Sequence, residues 1–167
     1  MKSKELLKKL KEDASKFSIH DLMNVRLFLE KDMEYLPKEY KESYLKDQII
    51  YFINTLKELR KKNEEELEDF EIDEDILNKL YNRINQFKTN TKGEDSFIKL
   101  SHIVTPYLIF IAKKPLHPIG MRFPGGKRII EKNGIYYCPV KNRQKNEYSL
   151  CEFCICKGIE ELKNNNK

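Results

Sequence analysis

All four cysteines of this 167-residue chain fall between Cys138 and Cys156, in the stretch CPVKNRQKNEYSLCEFCIC, and the 137 residues before it contain none. Cysteine is ordinarily a scattered, buried residue type, so such crowding calls for a chemical cause. The thiols also follow a segment broken by Pro115, Pro118, Gly120, Pro124, Gly125 and Gly126, which excludes a long regular element there. A region of that kind cannot hold its shape by apolar burial alone, and thiols converging on an ion supply the missing constraint. The chain is therefore expected to comprise a body that folds by hydrophobic burial and a tail that folds around a metal.

The body, residues 1–112, reads as helices. Leu6, Leu7, Leu10, Ala14 and Phe17 recur at helical spacing. Ser18 and Asp21 form a capping-box pattern that restarts the chain as a second helix. Its apolar face comprises Ile19, Leu22, Met23, Leu29, Met33 and Leu36, widened by Val25 and Phe28. Pro37 ends that helix and suits the first turn of a third, over residues 37–66, where Leu45, Ile49, Phe52, Leu56 and Leu59 alternate by four and three. Such a seam serves one side of an intramolecular bundle more often than a dimer interface. A fourth helix over 73–87 is expected to bury Ile76, Leu77, Leu80, Ile84 and Phe87, followed by a loop over 89–93. A fifth opens near Asp95 and kinks at Pro106. Residues 107–112 are apolar on every side, which marks the central element of the bundle.

Past Lys113 the pattern changes. Residues 127–131 and 135–138, about an Asn133–Gly134 turn, read as a β-hairpin, and two strands alone are marginal in water. Residues 148–162 read as a last helix, followed by a polar tail. The expected fold is mainly α: a single helical-bundle domain of five or six helices in residues 1–112. A small C-terminal β-hairpin and metal knuckle in 113–167 pack on the same domain.

A structural zinc ion takes four ligands, commonly thiolates and imidazoles. Cys151 and Cys154 form a C-x-x-C pair, and Cys138, followed by Pro139, adds a third sulfur. Two residues compete for the fourth place. His117 lies in the irregular loop LHPIGMRFPGG, where a fixed side chain most needs a reason, and is preferred. Cys156 is the alternative fourth ligand; it lies two residues past Cys154, which strains a helical pair but suits a non-helical knuckle. An iron–sulfur cluster ranks below zinc, because the spacing fits no common ferredoxin pattern. Three sulfurs and an imidazole make a closed shell and argue for a structural role. A three-cysteine site with an open position would instead make a metalloenzyme, with Glu152 the nearest carboxylate. His20 and His102 read as ordinary helix residues.

The stretches LHPIGMRFPGG (116–126), YYCPVK (136–141) and LCEFC (150–154) resemble the C-terminal block of a family of small archaeal proteins of unknown function, found largely in methanogens. The resemblance lies in these motifs; over the helical part only helix content and length agree. It implies that the His-Pro of the loop belongs with the two cysteine motifs, which adds weight to His117. It implies no activity.

The net charge of +5 is unevenly placed: residues from Lys99 onward carry +8 and the preceding 98 carry −3. A basic tail suits an anionic partner, nucleic acid among them, or a protein partner; it also suits plain surface solvation. Gly125, Gly126, Lys127 and Arg128, with Lys113, Lys114, Arg122, Lys141 and Arg143, form a candidate anion-binding face, interleaved with Phe123, Tyr136, Tyr137 and Phe153. The Gly-Gly-Lys-Arg stretch reads first as a hairpin-opening turn. Residues 1–16 are charged throughout and 107–112 are too few to span a bilayer, so no leader and no membrane contact are expected. Cytoplasm follows, where clustered thiols read as metal ligands before disulfides. The functional expectation is a binding or assembly module with a structural zinc and a basic C-terminal face; a metalloenzyme and a nucleic-acid-binding accessory factor are the alternatives.

Overall fold

The first helix, α1 (Ser3–Ser15), carries Leu6, Leu7, Leu10 and Ala14 on one stripe, and all four are fully enclosed in the computed structural model. The structure describes residues 1–32, 34, 37–86, 92–123, 126–141 and 149–164. Met33, Leu36, Phe87, residues 89–91, Pro124, Gly125, Arg143, Tyr148 and the tail 165–167 lie outside the described residues, as does the side chain of Leu45.

The expected capping box forms reciprocally at the start of α2 (Ile19–Asp32). The Ser18 N–H donates to Asp21 Oδ2 at 2.8 Å, and the Asp21 N–H donates to Ser18 Oγ at 3.2 Å. Then come α3 (Lys38–Lys61), α4 (Glu74–Asn85) and α5 (Lys92–Pro106). Asp73 caps α4, its Oδ1 accepting from the Asp75 and Ile76 amides. Packing of α2 on α5, α1 on α3 and α4 on α5 closes one helical core that includes Leu10, Leu59, Leu80, Leu100 and Leu108.

Several expectations need correction. The third helix stops at Lys61, because Lys62 turns extended and Asn63 caps a separate single turn at Glu64–Glu66. The fifth opens at Lys92, earlier than Asp95. Gly93 lies within it because α2 passes close by: a Cβ there would lie 2.9 Å from both Asn24 O and Phe28 Cβ. Ile19 (75% exposed), Met23 (58%) and Ile76 (44%) are on the surface. Of the face expected for α2, Leu29 and Val25 are buried and Leu22 and Phe28 pack against the core; apolar residues surround too much of this helix for spacing alone to say which of them turn inward. At Pro106, which brings no amide hydrogen, the helix changes register and continues as a π-helical turn over Tyr107–Ala112. Tyr107, Leu108, Ile109 and Ile111 of that turn are buried, as a central element requires. Lys113, in the left-handed region at φ 53°, ends it.

The hairpin forms as β1 (Ile130–Lys132) and β2 (Ile135–Cys138), with Asn133 at φ 55° and Gly134 at φ 78°, the two positive values a tight primed turn demands. A third strand, β3 (Lys157–Gly158), pairs parallel to β2, with Tyr137 opposite Lys157 and Cys138 opposite Gly158. The helix expected over 148–162 is therefore absent as such. Residues 149–156 turn irregularly around the cysteines, and only α6 (Glu160–Asn164) is helical. A helix would have pointed Cys154 and Cys156 to nearly opposite sides, whereas here both pack inward. The molecule is a mainly helical single domain with a small C-terminal sheet. Its second apolar cluster, Met121, Phe123, Ile129, Cys138 and Cys156, meets the helical core at Cys154, which packs against both.

Candidate metal centre

Cys138 ends β2. Its sulfur receives the backbone N–H groups of Val140 and Lys141, offered by the turn that Pro139 begins. Burial pushes this thiol up, and the sulfurs of Cys154 and Cys151 lie near enough to push it the same way. Cys151 and Cys154 sit on a tight turn closed by the Phe153 N–H to Leu150 O (3.0 Å) and the Cys154 N–H to Cys151 O (3.2 Å). Lys141 Nζ donates to the carbonyls of both cysteines of that turn, at 2.8 Å for Cys154. One cation thus joins the Cys138 strand end to the C-x-x-C turn.

Cys154 and Cys156 are hydrogen-bonded to each other through sulfur. The Cys156 S–H, followed by the backbone N–H groups of Cys156 and Leu116 and the Lys141 charge, draws the Cys154 thiol down to about 6, against the burial that opposes it. Cys156 holds the shared proton and is pushed up. The pair titrates as a unit, with its first proton easy to lose and its second hard. All four cysteines are free thiols. Among the described residues, no three His, Cys, Asp or Glu side chains are already disposed as ligands about one centre.

His117 is tied to the helical body. Its Nδ1 lies 2.6 Å from Gln48 Oε1, and its ring meets Phe123 edge-on with centroids 5.8 Å apart. Gln48, buried on α3, also donates to Leu116 O at 3.3 Å. Burial brings His117 down to about 4, so it is neutral in ordinary buffers. Tyr51, one turn further along α3, donates to Pro115 O at 2.5 Å, and burial followed by the nearby Cys154 and Cys156 pushes its hydroxyl up. The His-Pro loop is thus tied to α3, while the Leu116 amide beside His117 touches the sulfur of Cys154.

The turn has a second anchor that the sequence did not disclose. Arg83 of α4 forms an ion pair with Glu152, donates to Ser149 O at 2.8 Å and covers the Phe153 ring, 5.1 Å from its centroid. Glu152 and Phe153 are the two residues between the paired cysteines, so Arg83 grips the knuckle itself. Glu152, nearly half exposed, is thus engaged by an ion pair. No local signal marks Arg83, because its partners lie 66 or more residues away. His20 is exposed, and His102 is satisfied by Asn85 (2.7 Å) and a stack on Tyr81.

The candidate basic face is only partly free. Lys113 lies over the Phe70 ring, Lys114 pairs with Glu58 and Lys141 serves the knuckle. Phe123 and Tyr137 are buried, leaving Tyr136 and Phe153 partly exposed.

Comparison with known proteins agrees with the resemblance in the motifs and extends it. The family described as an uncharacterized protein conserved in archaea (DUF2115) matches residues 2–159, helical body included. A UPF0305 protein of Methanocaldococcus jannaschii is 56% identical over 98% of this chain and 100% of its own length. One of Methanothermobacter thermautotrophicus is 33% identical over 93% of this chain and 95% of its own. One of Methanopyrus kandleri is 23% identical over 71% and 83% respectively. No solved structure matches the chain.

Proposed function

We propose, for a chain that belongs to the archaeal DUF2115 family, that its C-terminal thiols take up one zinc ion as a structural site. The segment so pinned, with its basic face, then serves as a binding or assembly module. What supports this reading is that four thiols from three places, the end of β2, the C-x-x-C turn and the approach to β3, lie near enough to influence one another's ionisation, although they are not disposed about one centre. The Cys156 S–H, and after it backbone amides and Lys141, favour thiolate at Cys154, and thiolate is the form that binds metal.

Cys138, Cys151 and Cys154 are three of the ligands. Cys156 is preferred to His117 as the fourth, since its sulfur adjoins that of Cys154. Zinc held by four sulfurs would cross-link the hairpin, the turn and β3 without an open position for chemistry. Uptake requires the thiols to exchange their hydrogen bonds for the ion, with release of protons. Four free thiols suit a reducing compartment, and we place the protein in the cytoplasm on that ground. No described helix is long and apolar enough to cross a membrane.

Elemental analysis of protein purified without chelators tests the reading. The expected content is about one equivalent of zinc, lost in a Cys151→Ser, Cys154→Ser variant. Less than about half an equivalent of any transition metal would overturn it.

A further inference from the structure

The chain uses lysine freely and arginine sparingly: 32 basic residues include six arginines. Where arginine occurs in the body it has a specific task. Arg26 pairs with Glu30, Arg60 donates to the carbonyls of Ala14 and Phe17, and Arg83 clamps the knuckle. Arg122 and Arg128 differ. They face each other across an antiparallel β-bridge, both are exposed, and neither makes an ion pair or hydrogen bond among the described residues. Residues paired this way project side chains to the same face a few ångströms apart, and like charges so placed repel. Lys127, also exposed, adds a third cation beside them, in a turn closed by the Phe123 N–H to Lys127 O at 2.9 Å.

The alternation around the bridge explains how the pair is held. Met121, Phe123 and Ile129 turn inward to the cluster that contains Cys138 and Cys156, which leaves Arg122 and Arg128 facing out. A repulsive arginine pair backed by a buried cluster, in a chain that solvates itself with lysine, is suited to an anion. Guanidinium grips phosphate, as it does carboxylate, with two parallel bonds.

We propose that the outer face of this turn, Arg122 and Arg128 with Lys127, docks on the phosphodiester backbone of duplex nucleic acid, without regard to sequence. The face offers no apolar anchor of the kind protein interfaces need: Ile119 apart, the described large apolar side chains of the segment are covered or half-covered. Stacking on single strands needs a row of exposed rings; Phe123 and Tyr137 are buried and Phe153 is covered by Arg83, which leaves Tyr136, half-buried, of the four. Charge is what remains, and charge is what backbone contact uses. The inference rests on the zinc reading only in that the thiol-lined cluster backs the turn.

Fluorescence anisotropy of the full chain on labelled DNA and RNA duplexes of mixed sequence, over a salt series, tests it. Affinity should fall steeply with salt, and Arg122→Gln with Arg128→Gln should flatten the log–log slope by roughly two and weaken low-salt binding at least about tenfold. The same charge change at Lys8 and Lys38, exposed on the helical body, should leave the slope nearly unchanged. Zinc content and melting temperature, read on the same samples, should match the parent. No salt-dependent binding, an equal loss in the Lys8 and Lys38 variant, or tighter binding to an acidic polypeptide than to either duplex overturns the proposal. Because metal content is measured separately, a zinc-loaded protein that ignores nucleic acid sinks this inference alone, and a metal-free protein that binds sinks only the zinc reading.

Discussion

The helical body and the thiol segment are held by different means. The body encloses Leu6, Leu7, Leu10, Leu59, Leu80 and Leu108 completely. Each such side chain contributes about 1.5–3 kcal/mol by leaving water. The segment's own cluster has five buried members, of which two are cysteines, on a sheet whose longest strand has four residues. A sheet that small is marginal by itself. What ties it to the body is polar and specific: Arg83 on the knuckle, Tyr51 and Gln48 on the His-Pro loop, Lys141 across the two cysteine motifs. A body made of many interchangeable contacts tolerates the loss of one. A segment made of few, each different, does not.

That contrast can be broken at either side. The largest effect is expected from Cys138→Ser with Cys154→Ser: hydrogen exchange should show β1, β2 and β3 losing protection while α1 to α5 keep theirs, whereas uniform loss would mean that one core holds both. Next, Leu80→Ala should cost about 2–5 kcal/mol in denaturant unfolding by opening a cavity, with zinc stoichiometry unchanged. A smaller effect follows from His117. Burial holds it near 4 in the fold against an ordinary 6.5, so between those values the unfolded chain binds the proton more readily. Stability should therefore fall as pH drops from about 6.5 towards 4 and level off below, by about 1–3 kcal/mol allowing for partial exposure. Measured in metal-free protein, the dependence should vanish in His117→Gln; if it persists, another group is responsible. Smallest of all, Met23→Gln on the outer stripe of α2 should change stability by no more than about 0.5 kcal/mol.

Local chemistry was legible in the sequence; long-range pairing was not. Ser18 with Asp21 and Asn133–Gly134 in the hairpin act on backbone within a few residues of themselves, and each forms as its residue types require. The crowding of the thiols along the chain was equally readable, since it is a fact of sequence. Gln48 lies 69 residues from His117 and Arg83 lies 66 from Ser149, and nothing beside either marks it for that partner. Strand β3, two residues long, is defined by its neighbour β2 alone, so no alternation could announce it. Ile19 and Met23 show the limit of periodicity on a helix with apolar residues on more than one side: spacing identifies a helix, while the packing partner chooses the stripe.

The account stands most directly on what surrounds the metal. X-ray absorption at the zinc edge of the purified protein should show four sulfurs at about 2.3 Å. A nitrogen in place of one sulfur would restore His117 over Cys156. A shell with fewer than three sulfurs, or no bound metal, would contradict the claim that an ion holds the segment together.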